Sequence, residues 1–200
     1  MSQTISNHKS SEKMEEQIVK CTIFRDPDKN KAAMNIRMNL GKYYPTYNPE
    51  FDAFSRLVLC IKQDNPGDNE IMYFVNELRA IFSDTEKYVI CVIPKHTIGT
   101  APSGIRSIAK RLCNPPIIDG TDVIVRVKEI PQKAFGGKRD IKSEIASLSL
   151  KNESIIKDQQ VLLLDDVTTS GSSLKAGKYI LENAGAKLVA MYALGLTQFI

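Results

Sequence analysis

Two aspartates stand side by side in Val161–Gly177, VLLLDDVTTSGSSLKAG, behind a run of four apolar residues and ahead of a row of hydroxyls. Adjacent ionised carboxylates repel each other and carry a desolvation penalty, so they are poor packing choices unless something polar or cationic binds them. Thr168, Thr169, Ser170, Ser172 and Ser173 surround Gly171, a residue type that lets backbone turn sharply and come close to a ligand. Hydroxyls and amides gathered around a glycine suit an anion of phosphate size.

The elements on either side must hold this loop. Val161–Leu164 is too short for a helix core and reads as a strand buried on both faces, as in a parallel sheet. From Ser172 onward Leu174, Tyr179, Ile180 and Leu181 fall near helical spacing, and Gly185 is a terminator. A strand, a turn and a helix N-terminus follow in order, and that terminus offers amide groups and partial positive charge to an anion. Strand, turn and capped helix also occur as plain structure; the paired carboxylates shift the balance toward binding. An ATP-binding reading would need a G-x-x-x-x-G-K-[ST] loop. GSSLKAGKY, Gly171–Tyr179, has one residue too many between its glycines and ends in tyrosine.

LLLDDVTTSGSSL resembles the phosphoribosyl pyrophosphate motif of type I phosphoribosyltransferases. That resemblance implies that Asp165 and Asp166 bind the ribose 2′- and 3′-hydroxyls at the catalytic centre. It gives Thr168, Thr169, Ser170, Gly171, Ser172 and Ser173 the 5′-phosphate. Purine-salvage members carry an aspartate at the position of Thr169, and its absence argues against a hypoxanthine or guanine enzyme.

Two hundred residues, 42% of them hydrophobic, suffice for one α/β domain and a small appendage. Cys21, Cys60, Cys91 and Cys113 are widely separated, and with only His8 and His96 beside them they support neither a zinc site nor a disulfide framework. No metal ligand set is assigned. The polar N-terminus lacks the apolar core of a signal peptide, and no run approaches membrane-spanning length, so a cytoplasmic protein without membrane contact is expected. The net charge of +4 is mild. Its distribution says more, because Arg126, Lys128, Lys133, Lys138, Arg139 and Lys142 crowd one stretch that also holds Pro131, Gly136 and Gly137.

Along the chain, residues 1–17 read as a disordered leader. Val19–Phe24 and Met34–Leu40 alternate and predict a β-hairpin hood or cap within 18–48, ahead of a core over 49–200. The patterns then predict helices over Phe51–Gln63 and from Ile71 to Phe82, a strand at Tyr88–Ile93, a helix through IRSIAKRL, a strand from Asp122, and a last strand from Ala186. Such alternation predicts an α/β fold, a parallel sheet flanked by helices. Ligands of such sheets bind beyond the carboxyl ends of the strands. Three loops converge there: PKHTIG, the basic stretch after Arg126, and Asp165–Ser173.

The order of these loops is also that of type I phosphoribosyltransferases, and Arg126, Gln132 and Arg139 are similar to a pattern of the ComF-like branch, without its amino-terminal zinc module. The resemblance implies transfer of phosphoribose from phosphoribosyl pyrophosphate to an unidentified nitrogen acceptor, with pyrophosphate released. Lys95, His96, Arg126, Lys128, Lys138 and Arg139 would meet the pyrophosphate. Mg²⁺ would be held mainly through substrate oxygens and water. A homodimer is compatible with it. The alternative is a non-catalytic sensor or regulator of this fold that binds phosphoribosyl pyrophosphate or a nucleotide and engages nucleic acid or a protein partner, including a nucleotide-linked defence component.

Overall fold

The structure is a computed structural model, which describes residues 37–63, 66–130 and 140–199. Five parallel strands form its main sheet, in the order β1 (Arg37–Tyr43), β7 (Leu188–Thr197), β6 (Gln160–Thr168), β2 (Val89–Val92), β3 (Ile118–Asp119). The central strands explain the unbroken apolar runs. Along β6, Leu162 and Leu164 enter one core and Val161 and Leu163 the other, all fully buried. In β2, Ile90 and Val92 divide from Val89 and Cys91 in the same way. Each such side chain contributes about 1.5–3 kcal/mol by leaving water.

On the first face lie α1 (Ala53–Lys62), α2 (Asp68–Ile81) and α3 (Gly104–Leu112), which bury Val58, Ile61, Phe74, Val75, Leu78 and Ile108 against the sheet. The second face carries α5 (Ser172–Asn183), whose Leu174, Ala176 and Leu181 pack on Leu163 and Met191. Gly177 brings this helix close, because a Cβ there would come within 2.7 Å of Ile93 and 2.9 Å of Leu163. The helices follow the predicted order.

Two features depart from the expected pattern. The strand expected from Asp122 is β4 (Ile124–Arg126), but it leaves the parallel sheet and pairs antiparallel with β5 (Leu148–Leu150) in a separate ribbon. The edge position is taken by the two-residue β3, which is too short to show any alternation in the sequence. Between β4 and β5 lies the short helix α4 (Ile141–Ser147). The second predicted hood strand is β1, displaced to Arg37–Tyr43, and it joins the main sheet beside β7. Its expected partner, Val19–Phe24, lies outside the described residues. Among the described residues, no helix is long and apolar enough to cross a membrane.

Candidate functional site

Parallel strands deliver their carboxyl ends to one edge, and the chemistry-bearing loops leave from there. Strand β6 continues past its apolar half through Asp165, Asp166 and Thr168. The two carboxylates are half-buried. Asp165 Oδ1 accepts a hydrogen bond from the Asp166 amide at 3.0 Å, and Asp166 Oδ1 accepts from the Val167 amide at 2.5 Å. These local bonds orient the side chains at the rim. Tyr43, at the end of β1, is near enough that the Asp166 charge, after burial, pushes its hydroxyl above the ordinary tyrosine range.

The loop beyond β6 turns through Gly171, whose φ of 76° lies in the left-handed region that a side chain resists. Gly171, the cap residue of α5, has no side chain to cap the helix, and the amide of Ser172 donates to Ser170 Oγ at 3.4 Å. By contrast, Asp52, Ser103 and Asp140 cap α1, α3 and α4 through their side-chain oxygens. The cap position of α5 thus carries no side-chain oxygen of its own, and the amides of a helix N-terminus are groups that can bind an anion.

The hydroxyls of the predicted cradle have several partners within the protein. Thr169 Oγ1 donates to Thr197 Oγ1 at 3.1 Å, Ser170 and Ser172 share a hydrogen bond of 2.8 Å, and Ser173 Oγ donates to Glu144 Oε1 at 2.9 Å. Thr168, Ser172 and Ser173 are buried, while Ser170 is exposed. The loop is therefore braced from β7 and from α4. Arg37 braces it from β1, with Nη1 donating to the Thr169 carbonyl at 2.9 Å. Its side chain also covers Gly171, where a Cβ would meet Arg37 Cδ at 2.2 Å.

Arg126 is the clearest difference from the expected set. It was expected at the pyrophosphate, but its side chain is only 2% exposed and is turned into the protein. Nη1 makes an ion pair with Glu144 Oε2 at 3.1 Å and also reaches Ser147 Oγ at 2.5 Å. Nε donates to the Lys95 carbonyl at 3.0 Å and Nη2 to the Pro94 carbonyl at 3.2 Å. The cause is local: all three residues of β4 are buried, and a planar fork of donors can satisfy several acceptors there. Lys95 and His96 sit half-buried in the loop after β2, and Lys128 is exposed just beyond β4. Backbone bonds join these stretches, from Gly99 to Arg126 at 2.8 Å, back at 3.2 Å, and from Ile130 to His96 at 3.3 Å. Lys138 and Arg139 lie outside the described residues.

Arg37 and Glu144 escaped the sequence reading. Arg37 is 132 residues from Thr169, and nothing in its neighbourhood marks it. Glu144 stands among Lys142, Ser143 and Ser147, one polar residue of several, and gives no signal of its own. Among the described residues no cluster of three or more histidines, cysteines or carboxylates could hold a metal ion. A cleft of about 260 Å³ opens at the carboxyl ends of β1 and β7, lined by Lys42, Tyr44, Asn48, Glu50, Gln198 and Phe199. A larger cavity, about 420 Å³, lies at the opposite ends of the strands near Tyr88, Ile117 and Leu162, away from the aspartates.

An acidic pair closing the central strand, a glycine-led helix behind it, and further loops from the same sheet edge define a class, and residues 105–195 match the phosphoribosyl transferase domain family. Over this span the chain is similar to type I phosphoribosyltransferases. Among curated proteins, an adenine phosphoribosyltransferase of Treponema denticola is 35% identical over 68 residues, 34% of this chain and 36% of that one. One of Thermosipho africanus is 35% identical over 63 residues, 32% of this chain and 37% of that one. The match spans about a third of the length of either relative. A solved structure described as the allosteric regulatory enzyme of purine biosynthesis aligns with 56% of this chain and 22% of its own, at 18% identity and a TM-score of 0.36.

Proposed function

We propose that the chain is a phosphoribosyltransferase that takes phosphoribosyl pyrophosphate and passes its phosphoribosyl group to a nitrogen acceptor. The observation that carries this reading is the position of Asp165 and Asp166, near the carboxyl end of the central strand and a few residues ahead of a helix whose cap is a glycine. Two carboxylates there can accept hydrogen bonds from a vicinal diol, and their negative charge favours the positive charge that develops on the sugar. The amides of the Thr169–Ser173 turn receive the 5′-phosphate.

In the reaction, the bond between C1 and the pyrophosphate oxygen breaks with its electron pair leaving on pyrophosphate. The acceptor nitrogen supplies the pair for the new bond at C1 and afterwards gives up its proton. The protein's part is orientation, since fixing both ends of the sugar donor removes much of the entropic cost of the encounter. Mg²⁺ neutralises the leaving pyrophosphate when bound. With Asp165 and Asp166 assigned to the ribose, the ion would arrive on substrate oxygens with its own water, because magnesium retains several waters and needs few protein ligands. Lys95, His96 and Lys128, with Lys138 and Arg139, are proposed for the pyrophosphate, and Arg126 is proposed to act from behind the loop.

The acceptor is proposed to enter through the cleft beside Tyr44 and Phe199, which opens at the ends of β1 and β7. Adenine is the first acceptor to try, given the names of the curated relatives. The test is calorimetric titration of phosphoribosyl pyrophosphate with Mg²⁺, followed by turnover with a panel of bases and amines. Asp165→Asn with Asp166→Asn is expected to abolish or greatly weaken binding while leaving the fold intact, because removing the pair relieves repulsion. Unchanged affinity in that variant would sink the ribose-binding role.

A further inference from the structure

We propose that the buried pair Arg126–Glu144 is a positioning device that holds the loop after β2 and the loop before α5 in one register, so that a displacement at either is felt at the other. The proposal rests on the reading above, because those loops are the ones assigned to the two phosphate ends of the donor.

Glu144 is wholly buried, and its two oxygens serve different elements. Oε2 holds Arg126 at 3.1 Å; Oε1 accepts the hydroxyl of Ser173, the second residue of α5, at 2.9 Å. Arg126 then reaches the second and third residues beyond β2, through the carbonyls of Pro94 and Lys95. A continuous path of hydrogen bonds therefore runs from the Pro94–Lys95 backbone, through guanidinium and carboxylate, to the first turn of the helix that receives phosphate. Backbone bonds between Gly99 and Arg126 extend the same brace further along the first loop.

Stability alone is a weak reason to bury two charges. Well-packed apolar residues of similar volume commonly do as well or better, because burying two charges costs desolvation. An apolar pair could not direct donors at two carbonyls of one loop while presenting an acceptor to a hydroxyl of another. The guanidinium is rigid and planar, so moving its carboxylate partner tilts all of its bonds together. Neither side chain needs to touch the ligand for this effect, and both are positioning residues.

The test uses the full chain, with amide hydrogen exchange followed in peptides covering 94–99 and 169–173, and calorimetry with ribose 5-phosphate and, separately, with Mg²⁺ pyrophosphate. Arg126→Lys keeps the positive charge opposite Glu144 but loses the fork. It is expected to speed exchange in both loops and to weaken both ligands by roughly 3- to 30-fold, the range typical of mutations that alter coupling between sites. Ser173→Ala cuts only the far end and is expected to loosen 169–173 while sparing 94–99. If Arg126→Lys leaves exchange at 169–173 and ribose 5-phosphate affinity as in the wild type, the pair braces one loop only and the proposal is overturned. A wild-type protein that binds neither ligand would defeat the phosphoribosyl reading instead, and exchange without ligand would still decide the coupling.

Discussion

Charge is handled in opposite ways at two neighbouring places. Asp165 and Asp166 stand half-exposed at the end of β6, two like charges side by side, oriented by the amides of Asp166 and Val167. Arg126 and Glu144 are opposite charges sealed from water, 2% and 0% exposed. Like charges side by side repel, and the proposed function gives the first arrangement a ligand to hold. The second is complete without one. Under the proposed function, binding chemistry resides in the carboxylates at the rim, and the buried pair behind them supplies geometry.

The largest effect should come from breaking the sealed pair. Arg126→Met leaves Glu144 buried without its cation and is expected to cost about 3–5 kcal/mol, whereas adding Glu144→Leu to it should recover most of that loss. Urea denaturation of the single and double variants measures both. Recovery of stability without recovery of ligand affinity would separate the two roles of the pair most sharply, and a cost below about 1 kcal/mol for the single variant would show that the charge is not confined as described.

How much of this was legible beforehand follows from the same contrast. The aspartates, hydroxyls and glycine of Asp165–Ser173 lie within nine residues, so the chemistry proposed for them follows from residue types and their order. The alternation of β2 and β6 between two cores left unbroken apolar runs, which is why a parallel sheet was legible too. Arg126 had the right residue type for a phosphate ligand, but burial is not written in residue type. What turns it inward is Glu144, 18 residues later on another element. The ribbon of β4 and β5 was hidden for a related reason. Its strands are three residues each, and the true edge strand, β3, has two. Such lengths carry no period. The tie from Arg37 to Thr169 spans most of the chain, and only the parallel pairing of β1 with β7 creates it.

A middle-sized effect is expected at Gly171. Alanine there must hold a φ of 76°, at a cost of about 1–2 kcal/mol for the left-handed conformation. The added carbon would also occupy the space of the Arg37 side chain, 2.2 Å from Cδ. Arginine is flexible enough to move aside, so the clash should be relieved by giving up the bond to Thr169 rather than by unfolding. Gly171→Ala should therefore lower stability modestly and lower ribose 5-phosphate affinity more, read by thermal unfolding and calorimetry. Arg37→Ala supplies the control: it removes the obstacle and the tie together, so Gly171→Ala should lose less additional affinity in that background. Equal losses in both backgrounds would show that Arg37 has no part in setting the loop.

The smallest stability effect, and the finest division between the two ways of using charge, is expected at Lys128. It lies two residues beyond Arg126, yet it is exposed where Arg126 is buried. An exposed cation contributes little to folding, and Lys128→Ala should change the unfolding free energy by no more than about 0.5 kcal/mol. Its field still acts on an approaching polyanion, so affinity for Mg²⁺ phosphoribosyl pyrophosphate should fall several-fold at low ionic strength. The loss should shrink as salt screens the charge over a Debye length of about 8–10 Å near physiological ionic strength. Arg126→Lys should show the opposite signature, a loss of affinity that persists in salt because it arises from displaced backbone. Titrations of both variants at two salt concentrations measure the difference. Salt-independent loss at Lys128 would mean that it also acts through structure, and unchanged affinity at low salt would remove it from the site.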